Sequence, residues 1–362
     1  MKKVCFVCWD FSLVGGIESV VTLLSEEFSK YYDVHVVSIN NEKGKCGHKL
    51  HNNIKYCVIN EGKNRIKSSC LKSFFPILKY ITKNKIDVVF GMGNYTVPVL
   101  LPISKFSRAK FIFCDHGAIS NQLDDLTTTK FRKIASENFE KVVTLTERNK
   151  EDYINMFSTD PDKVICIHNC IDDKIFEFVS SSYNINSKKI MSVGRFGPEK
   201  GYDMLFDVAN IVLKKHPDWQ WDLYGNGETF EEIKQKIEKH KLKGRLNQKG
   251  LVNDIYERYK DYAIYVLPSY REGLPLVLLE AKANRLPVVS FDCVTGPREI
   301  ITDGVDGFLI DCYNKQTMAN KILDLIESND LRIKMSKNSY INLDKFSKEK
   351  ILNQWIELIE EI

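Results

Sequence analysis

Residues 191–209 read MSVGRFGPEKGYDMLFDVA. A short apolar strand runs into a loop holding Gly194, Gly197 and Gly201, and a helical pattern begins at once. A strand that feeds a helix through a glycine loop is the repeating unit of a doubly wound α/β sheet. The unit recurs in both directions. Upstream, KVCFVC, DVHVVSI, IKYCVI, DVVFGM, KFIFCDH, KVVTLT and KVICIH are short apolar runs separated by helical patterns such as IESVVTLLSEEFSK. Downstream come WQWDLYG, LNQKG, AIYVLP, PVVSF and FLI. The fold class is α/β, with two doubly wound domains, since 362 residues exceed one ordinary core. The polar stretch FVSSSYNINSKK is the linker candidate, which gives an N-terminal domain over 1–175 and a C-terminal domain over 176–345. The closing stretch over 346–362 contains KEKILNQWIELIEEI, an amphipathic helix long enough to pack back on the N-terminal domain.

Composition excludes a disordered chain, because 43% of residues are hydrophobic and 28% charged. The opening MKKVCFVCWD is broken by Asp10 well short of a signal-peptide core or a membrane span of roughly 20 residues. A cytoplasmic protein with reduced cysteines is therefore expected, and none of the ten is read as a disulfide. Net charge is +4, with a local excess from Lys63 to Lys85: seven basic residues, no acidic one, and Phe74, Phe75, Ile77, Leu78, Tyr80 and Ile81 between them. Such a segment suits an anionic membrane surface. It also suits a solvated helix whose apolar stripe packs on its own domain. Nucleic acid is not expected, because no recognition module accompanies the patch.

Ligands of open α/β sheets lie beyond the carboxyl ends of the strands, and the unusual residues of this chain fall there. Gly15 and Gly16 follow the first strand at a helix start, as a phosphate-facing turn or a simple tight turn. Arg195 and Lys200 share one glycine-flanked loop, where a guanidinium fork and an ammonium can clamp a diphosphate. Gly225, Asn226 and Gly227 either leave room for a ligand or make a plain turn. Glu272 precedes a helix that Pro275 opens in its first turn, and Glu280 lies within that helix. The two carboxylates can accept bonds from a sugar and from a ribose diol. A helix-charge role for Glu272 and an exposed position for Glu280 are the plainer readings.

The ordered set GRFGPEKG, YGNGE, GLVNDI, LPSYREGLPLVLLEA and GPREIITDGVDGFLI resembles the retaining glycosyltransferases of the GT-B fold, family 4 (group 1). These include many enzymes of lipopolysaccharide, capsule and glycan assembly. The resemblance covers essentially the whole chain and is strongest from Met191 to Ile310. It implies two Rossmann-like domains facing across a cleft, the C-terminal one binding a nucleotide-sugar. Arg195 and Lys200 would then hold the donor diphosphate, Glu280 the ribose, and Glu272 with the backbone of Gly273, Leu274 and Pro275 the transferred sugar and leaving phosphate. The base would lie near Gly225 and Val252, Gly15 and Gly16 would face the phosphates, and His116 would lie near the reacting sugar. The implied reaction is retaining transfer of a hexosyl or N-acetylhexosaminyl unit from a UDP-sugar, or a GDP-sugar, to a lipid-linked saccharide acceptor in bacterial polysaccharide biosynthesis, such as O-antigen or capsule. The enzyme would be peripheral on the inner face of the cytoplasmic membrane. No metal and no cofactor are expected, because Arg195 and Lys200 supply the charge that a leaving diphosphate requires. An epimerase of the same fold and a catalytically silent nucleotide-sugar binder are the alternatives. The chain departs from the family at His168 to Asp172, where an Asn-Gly dipeptide is common.

Three other groups read plainly. Asp160-Pro161-Asp162 is a turn, not a metal motif. Cys5 and Cys8 lie on a strand and point to opposite faces. Cys46, His48 and His51 lack a clear fourth ligand and belong to a polar loop.

Overall fold

The computed structural model describes residues 1–13, 15–62 and 64–362. Val14 in the glycine turn and Lys63 at the head of the basic segment lie outside the described residues. The chain forms two units, Met1–Asn169 with Ile351–Ile362, and Cys170–Lys350.

The first unit holds strands β1 (Lys3–Asp10), β2 (Asp33–Asn40), β3 (Lys55–Val58), β4 (Val88–Met92), β5 (Lys110–Asp115), β6 (Lys141–Thr144) and β7 (Val164–Cys166). They pair in parallel in the order β3-β2-β1-β4-β5-β6-β7. The second unit holds β8 (Lys189–Val193), β9 (Gln220–Tyr224), β10 (Leu246–Gly250), β11 (Ile264–Leu267), β12 (Val288–Phe291) and β13 (Gly307–Ile310). Their order is β10-β9-β8-β11-β12-β13, again parallel. The central strands are continuous apolar runs because helices cover both faces of a parallel sheet: every residue of β4, β11 and β12 is buried. In each sheet the direction of winding reverses once, between β1 and β4 and between β8 and β11. A crevice for ligands opens at such a reversal.

The unit boundary corrects the sequence reading by a few residues at each end. It falls at Asn169/Cys170, before the polar stretch, not near 175. Residues 170–175 already belong to the second unit: the Ile171 amide donates to the Phe346 carbonyl at 3.0 Å, and Ile175 is fully buried. The polar stretch is likewise tied down. The Tyr183 hydroxyl donates to the Ala263 carbonyl at 2.8 Å and Ser187 Oγ to the Asp261 carbonyl at 2.7 Å. A segment rich in polar side chains reads as a linker from composition, but these anchors make it part of a domain.

The chain leaves the second unit at Lys350, not 345, and the helix Lys348–Glu361 seats on the first unit. Trp355 packs edge-on against Phe28 and Phe90, at 6.3 and 5.5 Å between ring centroids. Lys2 Nζ donates to the Ile359 carbonyl at 2.7 Å and the Tyr32 hydroxyl to Glu360 at 2.9 Å. All ten cysteines are free thiols. Cys5 and Cys8 are buried, and burial pushes both thiols well above their ordinary range, so they behave as small apolar side chains. Among the described residues no helix is long and apolar enough to cross a membrane.

Because Trp355 fills the contact between the last helix and the sheet, Trp355→Ala is expected to destabilise the first unit by about 3–5 kcal/mol. Thermal unfolding followed by hydrogen exchange in β1 and β4 checks this, and unchanged protection there would show that the helix is dispensable.

Candidate active site

The second unit's site is built at the reversal between β8 and β11. The loop after β8 is pinned on one side by packing: the ring of Phe196 lies flat on that of Tyr202 at 3.9 Å, and Phe230 closes on its edge at 5.0 Å. Gly201 then starts the helix Tyr202–Lys215 with φ 64°, and a Cβ there would lie 2.1 Å from the Pro268 carbonyl oxygen. Only glycine lets this helix start abut the end of β11. Across that contact the Glu199 carbonyl accepts from the amides of Tyr270 and Arg271, at 2.9 and 3.4 Å.

The close approach brings Lys200 and Glu272 together. Lys200 Nζ donates to both carboxylate oxygens of Glu272, at 2.7 and 2.9 Å. The Glu272 side chain is 7% exposed and that of Lys200 25%. Thr295 Oγ1 donates to the Glu272 backbone carbonyl at 2.6 Å, which fixes the loop from a third side. Arg195 is different. Its side chain is 66% exposed, and its guanidinium donates to Glu199 Oε1 at 2.6 Å. Burial opposes ionisation of Glu199, but bonds from the backbone and from Arg195 outweigh it and hold that carboxyl below its usual range.

Gly273, Leu274 and Pro275 continue from Glu272 to the helix Leu276–Ala283, whose first amides have no side-chain cap. Pro275 is the residue before the helix, not part of its first turn. Glu280 lies about one turn along that helix, half-buried, and accepts from the Tyr259 hydroxyl at 2.6 Å. Burial raises its pKa to about 7; the Tyr259 bond offsets part of this and Asp172 adds to it. Glu280 thus meets a hydroxyl where Glu272 meets a cation.

Gly225 follows β9 with φ 129°, and a Cβ on it would lie 1.9 Å from the Gly194 carbonyl oxygen. The glycine there is required by backbone packed on backbone, beyond the open choice between a turn and ligand room. Its amide donates to the Gly250 carbonyl at 2.9 Å, which draws in the segment after β10 that carries half-buried Val252.

Three expected positions lie in the first unit. Gly15 caps the helix Gly16–Phe28 without a side-chain bond, and the Glu18 carboxylate folds back over it: Oε2 would lie 2.7 Å from a Cβ on Gly15. His116 follows β5 directly after Asp115. Asp115 accepts from Arg132 Nε and Nη2 at 2.7 and 3.1 Å, from the Tyr153 hydroxyl at 2.9 Å and from the Gly117 amide at 3.0 Å. Burial would raise the Asp115 pKa, but Arg132 and these donors hold it below the usual range. His116 Nε2 is buried and has no hydrogen-bond partner among the described residues. Burial lowers its pKa to about 4, against a smaller opposing effect of Asp115, so the imidazole is neutral at physiological pH.

Against this geometry, two family models match in tandem: "Glycosyltransferase Family 4" over residues 14–174 and "Glycosyl transferases group 1" over residues 173–341. The chain belongs to this glycosyltransferase family. An uncharacterized glycosyltransferase of Haemophilus influenzae is 28% identical over 98% of this chain and 99% of its own length. The amylovoran biosynthesis glycosyltransferase AmsD of Erwinia amylovora is 28% identical over 99% of this chain and all of its own. The crystal structure of an S. aureus TarM mutant in complex with fondaparinux, alpha-GlcNAc-glycerol and UDP matches with a TM-score of 0.84 at 18% identity, covering 99% of both chains. The two doubly wound units are thus those of a GT-B glycosyltransferase.

Several side chains beside these positions went unnoticed in the sequence. Glu199 holds Arg195 from within the same loop, and Tyr259 holds Glu280 from a segment 21 residues away in the chain. Asn94 follows β4 at the reversal of the first sheet, and its Oδ1 is buried without a partner among the described residues. Its place after a strand was the available signal. Asp160 caps the short turn Pro161–Lys163, so the Asp-Pro-Asp segment is a turn. Cys46 Sγ donates to the His48 carbonyl at 2.9 Å, and no cluster of metal-binding side chains occurs among the described residues.

The raised pKa of Glu280 gives a pH signature. A carboxyl whose folded pKa is about 7 against an ordinary 4.5 stabilises the fold fully below pH 4.5 and loses that contribution as pH rises through 7. The loss is at most about 3 kcal/mol, less where solvent screens the group. Glu280→Gln is expected to flatten the fall in melting temperature between pH 5 and 8 relative to the parent. Parallel pH curves would place Glu280 in an ordinary carboxylate environment.

Proposed function

We propose that this glycosyltransferase moves a hexosyl or N-acetylhexosaminyl unit from a UDP-sugar to a lipid-linked glycan acceptor, with retention of anomeric configuration and without a metal ion. The observation that carries the reading is the Lys200–Glu272 pair set beside Arg195 at the carboxyl ends of β8 and β11. Breaking a sugar–diphosphate bond builds negative charge on the leaving phosphate and positive character on the sugar ring. Lys200 and Arg195 offer two cations to the phosphates, and the uncapped amides after Pro275 add a favourable helix dipole. Each cation already holds a carboxylate where a phosphate would bind. A diphosphate that takes over Lys200 frees Glu272 to accept hydroxyl bonds from the transferred sugar. Glu280 accepts from the ribose diol, and His116, neutral and with an unused ring nitrogen, serves the sugar.

UDP is favoured over GDP because UDP occupies the TarM complex, a fold neighbour. A role in bacterial polysaccharide assembly, of the O-antigen or capsule kind, is supported by AmsD, which carries amylovoran biosynthesis in its name. A lipid-linked acceptor implies a protein that works at the inner face of the cytoplasmic membrane.

A thermal-shift screen of UDP-, GDP- and ADP-sugars, repeated with EDTA, tests the donor. A UDP-sugar is expected to raise the melting temperature equally in both conditions through linkage. No response to any donor would remove the assignment, and a response abolished by EDTA would remove metal independence.

The two cations should separate in their variants. Arg195→Ala removes an exposed pair worth about 0–1 kcal/mol and is expected to weaken donor binding with little change in stability. Lys200→Ala leaves Glu272 largely buried without its cation, so it should weaken donor binding and also destabilise the second unit, by up to about 3–5 kcal/mol. Unchanged donor affinity in both would dissolve the diphosphate site.

A further inference from the structure

The helix Ile66–Asn84 carries two opposed rows of side chains at four-residue spacing. Ser69, Ser73, Ile77 and Ile81 are buried against the first unit. Lys67, Leu71, Phe75, Lys79 and Lys83 are all exposed, Leu71 at 83% and Phe75 at 75%. Packing within the domain, one of two readings left open by the sequence, therefore uses a row that contains neither Leu71 nor Phe75. A second element joins them. Phe106, 71% exposed beyond the helix Val97–Ser104, meets the ring of Phe74 edge-on at 5.8 Å, and Phe74 meets Phe75 at 5.0 Å. Exposed Lys72, Lys105 and Arg108 stand on the same two elements, and no acidic residue occurs between Glu61 and Asp87. A shallow groove lined by Phe75, Leu78, Lys79, Thr82 and Lys83 runs along the helix.

Three large apolar side chains in water, supported by an aromatic contact and bordered by cations, match the cross-section of a lipid interface. Apolar groups enter the acyl boundary while lysine stems extend and place their charges at the phosphates. A nucleic-acid surface needs the cations but gives Leu71, Phe75 and Phe106 nothing to enter. We propose that this face docks the protein on an anionic phospholipid bilayer, with Leu71, Phe75 and Phe106 inserted and Lys67, Lys72, Lys79 and Lys83 on headgroup phosphates. Its purpose rests on the reading of a lipid-linked acceptor; the surface itself is independent of which donor is used.

Vesicle co-sedimentation of the full chain tests it, with phosphatidylcholine alone and with roughly a third phosphatidylglycerol. The protein is expected on the anionic vesicles only, and to be released by high salt. Leu71→Ser/Phe75→Ser/Phe106→Ser should weaken binding by more than about tenfold. Lys72→Glu/Lys79→Glu/Lys83→Glu should weaken it by at least about fivefold per charge. Both variants should keep the parent's donor-induced rise in melting temperature, which reads the second unit and so separates failure of docking from failure of the transferase reading. Vesicle binding that persists when no donor binds still supports docking. Equal binding to neutral vesicles, no binding by the parent, or full binding by either variant overturns it. So does a parent dimer that the serine variant abolishes, which would assign the face to a second copy of the chain.

Discussion

The ion pair between Lys200 and Glu272 joins the ends of β8 and β11, the two neighbours between which the second sheet reverses its winding. At any other pair of strands the loops would run the same way round; here they diverge and leave a crevice. The pair depends on backbone before it depends on charge. Gly201 packed on Pro268, and the Glu199 carbonyl bonded to Tyr270 and Arg271, set the distance at which an ammonium and a carboxylate can meet. Low exposure then strengthens their attraction and makes each costly to leave alone.

The two glutamates of the site are chemically unlike although they are only eight residues apart. Glu272 faces a cation; Glu280 faces the Tyr259 hydroxyl, and burial raises its pKa to about 7. One is suited to exchange a cation for a ligand, the other to accept hydroxyl bonds once ionised. The difference comes from what the loop and the helix each touch.

The first unit uses the same economy of buried charge. Asp115 accepts from Arg132 and from the Gly117 amide, so the segment after β5 is held while His116 Nε2 has no partner among the described residues. The helix Ile66–Asn84 spends small and branched side chains inward and turns Leu71 and Phe75 outward. Burial there is decided by row, not by hydrophobicity.

Sequence determined most of the architecture, because strand after strand is a buried apolar run followed by glycine and a helix, and that local pattern needs no distant partner to be read. It also placed Arg195, Lys200 and Glu272 in loops after strands and Glu280 in the helix that follows one. Tertiary structure alone decided what those residues meet. Tyr259 and Thr295 approach the site from elsewhere in the second unit, and Gly225 proved to be fixed by the Gly194 carbonyl. It also moved the boundary to Asn169, since the polar stretch that resembles a linker is bonded into a domain. Pairings across long sequence separations depend on how loops approach, and one-dimensional periodicity carries no measure of that distance.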